Sequence, residues 1–557
     1  MTPHRFSIFL RLGFLVSLLG LTGPASAAPA LVVVISIDQF RGDYLERFHR
    51  HFGPDGFNLL LERGANFVDC HYRHAHTKTA PGHAVILSGV HADVNGIIAN
   101  DWIDRETFAW TSCVEDPSAA IVGLPPRTGP LLPGMGNPQK GRSPRNFLAV
   151  TVGDELKLNR GGRPKVIGIS RKDRSAILMA GKTADAAYFM DGARMVTSTY
   201  YMNELPEWVR AWNAEEKVDA YFGRVWERFL PESAYAIQGP DDMPGEDTTA
   251  GRLGNTLPKK VTGGDAKPGP QFYSAFENTP FGNEVLEDFA EAAVLNEQLG
   301  RHPGVTDLLC LSFSANDSIG HLYGPDSHEV MDNVVRMDRT LAKFFAFLDK
   351  HVELKNCLIV LTADHGAAPM PERVKAASPH LVAGRIDSKV LQATGEAALN
   401  RAFGPLADGG NWLVRDDSWF LLHPAALKEK KVDAAAAQAV VRDALLTLDF
   451  VATAFTRAQL EKGEVQDELG RATLLSFNRA RSGDVYFIAK PYFVSRKTGT
   501  NHGLPYNYDT HVPLLWFGAG VRPGVRVERV GVDDIAPTLA RLLGLPAPPQ
   551  SRGRVLF

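Results

Sequence analysis

The chain has 557 residues, 44% of them hydrophobic, and a formal net charge of −3. That length supports several small domains or one large α/β domain with insertions. The near-neutral balance offers no global attraction to nucleic acid or to an anionic membrane surface, so any affinity for a phosphate group rests on local charges.

The first element is a targeting segment. His4, Arg5 and Arg11 flank an apolar stretch over residues 12–21, and Ala25-Ser26-Ala27 supplies a small-residue cleavage site. This is a secretory signal peptide over residues 1–27, too short to span a bilayer comfortably. The mature protein is expected to begin near Ala28 and to be periplasmic or secreted, without a stable membrane anchor.

An apolar run then ends at Asp38. In Thr79-Ala80-Pro81-Gly82-His83, the proline and the apolar residues that follow place Thr79 at a helix N-terminus, where a threonine ordinarily serves as a cap. His71, His74, His76 and His83 around it read as exposed polar side chains near a loop. Asn100 follows, in Gly-Ile-Ile-Ala-Asn. Lys172 and Arg174, in Ile-Ser-Arg-Lys-Asp-Arg, are two apart and share one face if the segment is extended.

A helical pattern covers 283–300, with Asn283 as its cap and Gly300 as its stop. The apolar run 307–314 leads to Asp317 and His321, four apart and so aimed at one point by a single helical turn. Val330, Val334, Met337, Leu341, Phe344 and Leu348 mark another helix. The run 357–362 precedes Asp364 and His365. His502 lies in Gly-Thr-Asn-His-Gly, a strand is expected over 511–517, and a helix over 533–543 closes the chain.

Continuous apolar runs suit parallel strands covered on both faces, whose carboxyl ends collect active-site residues. The expected fold is an α/β/α sandwich with a mostly parallel central sheet. It carries insertions at about 101–165 and 225–280 and an inserted subdomain at about 370–495, with a strand over 418–422 and an alanine-rich helix over 432–446. The Gly- and Pro-rich stretch 239–270 reads as a surface loop. Of the four cysteines, Cys310 and Cys357 lie in core runs as buried thiols, and Cys70 with Cys113 is the preferred disulfide.

Singly, these motifs are weak. Jointly, Asp38, Thr79, Asp317, His321, Asp364, His365 and His502 resemble, in order and local context, the alkaline phosphatase superfamily over nearly the whole mature chain. The resemblance implies two Zn2+ per chain, one held by Asp317, His321 and His502, the other by Asp38, Asp364, His365 and the Thr79 oxygen, with Thr79 as nucleophile. His511, nine residues after His502, is a rival ligand and is taken as structural. Asn100, Lys172 and Arg174 are similar to the substrate-binding trio of the bacterial threonine-nucleophile alkaline phosphatases, the PafA type. A monoester carries close to two negative charges, which two cations match. The expected activity is hydrolysis of phosphate monoesters of broad type through a phosphothreonine intermediate, by a monomer that binds no nucleic acid. The alternatives are a phosphodiesterase or nucleotide pyrophosphatase on the same fold, or a non-catalytic secreted zinc-binding protein. The Cys/Ser-x-Pro-x-Arg motif of the superfamily's sulfatases is absent.

Overall fold

A computed structural model describes residues 28–124 and 140–557. The expected signal peptide lies outside the described residues. Four parallel strands form the centre: β1 (Leu31–Ile37), β2 (Val166–Ser170), β3 (Asp307–Phe313) and β4 (Cys357–Thr362). They lie in the spatial order β4-β1-β3-β2, with Ala186–Asp191 parallel beyond β2. Antiparallel and edge strands extend this core to ten strands among the described residues. Every residue of the four is buried, which requires cover on both faces. That burial is why they read as unbroken Val/Ile/Leu runs rather than as alternating patterns.

The register puts the functional ends level. Ile37 pairs with Phe313, and Ser36 with both Ser312 and Thr362, so the residues that follow β1, β3 and β4 emerge side by side. The helices supply the cover. Thr79–Ile86 (α1) packs on Asp173–Ala180 (α2), and Ala315–Tyr323 (α3) packs on the 25-residue His328–Val352 (α4). The Ser327 hydroxyl caps α4 by accepting from Val330 N at 3.1 Å.

Residues 384–494 build a second, smaller layer. Strands Leu413–Asp416, Trp419–Leu422, Val485–Ala489 and Val451–Thr456 form a four-stranded sheet. Helices Ser388–Phe403 and Ala434–Leu445 pack with it around a separate core of Leu391, Trp412, Phe420 and Val441.

Several local expectations are corrected. The helix expected at 283–300 is Phe281–Asn296. Asn283 lies inside it, buried, and accepts from Ala315 N instead of capping. The strand expected over 511–517 is split at Pro513, which has no N–H to give a ladder. His511–Val512 pairs with Cys70–His71, and Leu515–Gly518 with β4. The stretch 239–270 is not simply a surface loop, because Leu253, Leu257, Lys259 and Val261 within it are buried.

No disulfide forms: all four cysteines are free and buried. Cys70 sits in a short interior strand and Cys113 in a separate apolar cluster with Trp102 and Phe147, so neither faces the other. Burial pushes the Cys357 thiol up to about 12 and raises the other three as well, which makes all of them inert in the folded state. Alkylation of the mature protein should therefore label no cysteine rapidly when folded and all four in denaturant without reductant. A pair that labels only after reduction would contradict this.

Candidate active site

Asp38 directly follows β1, Asp364 lies two residues beyond β4, and Asp317 stands four residues beyond β3 in the first turn of α3. Their carboxylates meet above the sheet, fully or almost fully buried. The i,i+4 spacing in α3 places His321 Nε2 3.2 Å from Asp317 Oδ1, and His502 Nε2 approaches the same oxygen at 3.6 Å. His365 Nε2 lies 3.5 Å from Asp38 Oδ1 and 3.4 Å from Asp364 Oδ2, and its ring stacks on His502 with centroids 3.5 Å apart. Two donor trios result, Asp317/His321/His502 and Asp38/Asp317/His365, each with ligand atoms within 4.8 Å of one another.

The chemistry of these donors fits metal ions. Each histidine gives its Nδ1–H to a backbone carbonyl: His321 to Thr500 O at 2.9 Å, His365 to Gly366 O at 2.9 Å and His502 to Thr77 O at 2.7 Å. A carbonyl only accepts, so Nδ1 carries the proton and Nε2 presents its lone pair to the cluster. Burial lowers the His365 imidazole to about 4 and pulls His502 down too, which keeps both rings neutral. Asp38 Oδ1 is buried without a hydrogen-bond donor, the state of a carboxylate oxygen built to face a cation.

Thr79 is the first residue of α1 and is almost fully buried. Its Oγ1 lies 3.5 Å from His365 Nε2 and 3.5 Å from Lys172 Nζ. The structure thus gathers the other six expected donors into one cluster, which the Thr79 hydroxyl meets at His365. His511 is not among them. It contacts Val68 O at 2.9 Å and stacks on His71.

The segment carrying the two cations is not extended. It turns directly from β2 into α2, with Lys172 at the N-cap and Arg174 in the first turn. Lys172 reaches inward, 2.5 Å from Asp38 Oδ2 and 2.6 Å from Asp317 Oδ2, as the cation between two expected metal ligands. Burial and the neighbouring carboxylates raise Asp38 even so, whereas Lys172, His321 and His502 outweigh burial at Asp317 and hold it low. Arg174 has its Nε buried without a partner. Asn100 accepts from Ala80 N at 2.8 Å through Oδ1, which joins it to the first turn of α1.

Other residues complete the site. His71, His74, His76 and His83 are buried, not exposed. His83 Nδ1 lies 2.8 Å from Thr79 O and 3.2 Å from Asp364 Oδ2, and its Nε2 lies 2.9 Å from Ser312 Oγ, so it ties the nucleophile's turn to the sheet. Gln39, at φ 60°, gives its backbone N–H to Asp364 Oδ1 at 3.1 Å and its side-chain amide to Asp317 Oδ1 at 2.8 Å. Its position directly after Asp38 was the one available signal. Gly82 is required by close approach, since a Cβ there would collide with the backbone of Asp364.

Comparison with known proteins agrees with this geometry. The profile of the type I phosphodiesterase / nucleotide pyrophosphatase family matches residues 32–511. Alkaline phosphatase PhoV of Synechococcus elongatus is 35% identical over 533 residues, covering 95% of this chain and 92% of that protein. A Myroides odoratus protein named calcium-transporting ATPase is 34% identical over 93% of this chain and 92% of its own length. Among the described residues, no helix is long and apolar enough to cross a membrane. Alkaline phosphatase PafA of Elizabethkingia meningoseptica is 32% identical over 94% of this chain and 93% of its own. A crystal structure of PafA superposes with a TM-score of 0.87, covering 96% of this chain and 99% of that one at 31% identity.

Proposed function

The chain belongs to the type I phosphodiesterase / nucleotide pyrophosphatase family, within the alkaline phosphatase superfamily, and from that premise we propose a zinc-dependent alkaline phosphatase that hydrolyses phosphate monoesters through a phosphothreonine at Thr79. The observation that carries this reading is the setting of the Thr79 hydroxyl, at the start of α1, between His365 and Lys172 and against both donor trios.

Asp317, His321 and His502 would hold one zinc ion, and Asp38, Asp364, His365 and Thr79 Oγ1 the other. A pair of such ions lowers the hydroxyl pKa and stabilises the departing oxygen. Thr79 Oγ1 attacks phosphorus in line, forming the Thr79 O–P bond as the bond to the ester oxygen breaks. Water then attacks the same phosphorus from the opposite side, breaking the Thr79 O–P bond and releasing phosphate. Arg174 Nε–H, the Lys172 ammonium and the Asn100 NH2 hold the non-bridging oxygens, matching charge that grows in the transition state. Two cations suit a monoester dianion better than a singly charged diester with its second bulky group, which ranks phosphodiesterase behind phosphomonoesterase. The leader sequence supports work in the periplasm or outside the cell. All donors come from one chain, so a monomer suffices.

The test compares kcat/KM on p-nitrophenyl phosphate and bis-p-nitrophenyl phosphate at alkaline pH, with metal analysis of the mature protein. Strong monoester preference, two zinc ions per chain, and loss of turnover on chelation with recovery on adding Zn2+ are expected. A diester preference would overturn the substrate assignment, and turnover that survives full chelation would overturn the metal assignment.

A further inference from the structure

Beside the site, the inserted layer and the main body line a narrow cavity that is partly open to solvent. His502 and Lys78 line one end of it, so that end lies beside the expected leaving-group metal ligand and the residue that precedes the nucleophile. The inserted layer supplies an apolar wall of Ile386, Phe487, Phe493 and Val494, all buried or half-buried. Arg415 adds one cation, its guanidinium donating to Asp417 O.

Two features make this a built wall. Asp417 Oδ2 pairs with Lys78 Nζ at 2.9 Å, and Lys78 directly precedes Thr79, so the layer is anchored at the nucleophile's own segment. Phe493 pairs in register with Gly384, where a Cβ would lie 2.8 Å from the phenyl ring, so the glycine sets the ring's position. None of the phosphoryl contacts described above comes from this layer.

We propose that this cavity is the leaving-group subsite and takes the planar ring of a monoester's alcohol component. This rests on the phosphomonoesterase reading and adds a substrate class to it. Two aromatic side chains in an otherwise aliphatic wall favour a flat unsaturated ring over a small aliphatic alcohol, because ring–ring contacts add to simple area burial. The ring is joined to the ester oxygen either directly, as in an aryl phosphate, or through a sugar, as in a nucleoside monophosphate.

The experiment measures kcat/KM for phenyl phosphate, adenosine 5′-monophosphate and glycerol 2-phosphate, with inhibition by inorganic phosphate, in the zinc-loaded wild type and in Phe487→Leu, Phe493→Leu and Gly384→Ala. The leucine variants keep an apolar wall of similar bulk and so protect folding. The expected result is a loss of about tenfold on at least one ring-bearing ester, with glycerol 2-phosphate turnover and phosphate inhibition unchanged. Loss on phenyl phosphate alone assigns a directly joined ring, and loss on the nucleotide alone a sugar-linked one. Equal losses on all three esters, or none on either ring-bearing ester, would overturn the subsite. A wild type that turned over none of them would instead overturn the phosphatase reading, and the subsite with it.

Discussion

Thr79→Ala is expected to lower kcat on p-nitrophenyl phosphate by about four orders of magnitude or more, with zinc content and thermal stability nearly unchanged. The size follows from the role: removing a covalent nucleophile leaves only the residual catalysis of positioning and electrostatics. The unchanged metal content follows from the geometry. Thr79 adds one oxygen to a set otherwise held by Asp38, Asp317, Asp364 and three histidines, each histidine already oriented by its own carbonyl. Thr79→Ser separates the two roles a threonine can play here. Serine keeps a hydroxyl and should retain substantial turnover. If Thr79 served only to cap α1, alanine would destabilise the helix by about 1 kcal/mol and leave turnover largely intact. The decisive measurement is acid-quench trapping of labelled phosphoprotein, present in wild type and absent from the alanine variant.

Lys172→Ala and Arg174→Ala should diverge in an informative way. Both are expected to lower monoester kcat/KM by about two to three orders of magnitude while sparing diester hydrolysis, as charge-assisted contacts to a transferring phosphoryl group require. Only Lys172→Ala should also alter the metal-free protein. Its ammonium lies within 2.6 Å of carboxylates on both Asp38 and Asp317, and Asp38 is fully buried. Removing one member of such a buried set costs about 3–5 kcal/mol, because the remaining charges lose their compensation. Bound zinc would supply that compensation from another source. The Tm gap between chelated and zinc-loaded protein should therefore widen in Lys172→Ala and stay at the wild-type value in Arg174→Ala. An equal gap in both variants would rule out a neutralising role for Lys172.

The framework of the fold was legible because it is written in runs. β1 and β4 are continuous apolar stretches with an aspartate just beyond their ends. The i,i+4 spacing of Asp317 and His321 became a real helical turn in α3. What the sequence hid was set by tertiary neighbours. Lys172 and Arg174 read as an extended charged pair because nothing local announces that β2 turns immediately into α2. His83 read as an exposed histidine, yet Ser312 on β3 and Asp364 after β4 claim it. The Cys70–Cys113 pairing failed because compartment chemistry permits a disulfide but cannot bring two separate clusters together. The cavity beside His502 had no linear signature, since its walls come from six separate segments of the chain.

The level ends of β1, β3 and β4 also bear on how the protein matures. The first expected donor, Asp38, and the last, His502, stand near opposite ends of the chain, and the intact 384–494 layer lies between the fourth and fifth donor-bearing segments. The Asp317/His321/His502 trio is incomplete until His502 has docked, so a chain that ends before residue 502 lacks that expected metal site. Closure of so long a loop is slow and exacts its entropy before any contact rewards it. A metal held by that trio would therefore act as a late clasp, captured at the end of folding, with its binding free energy then holding the topology shut.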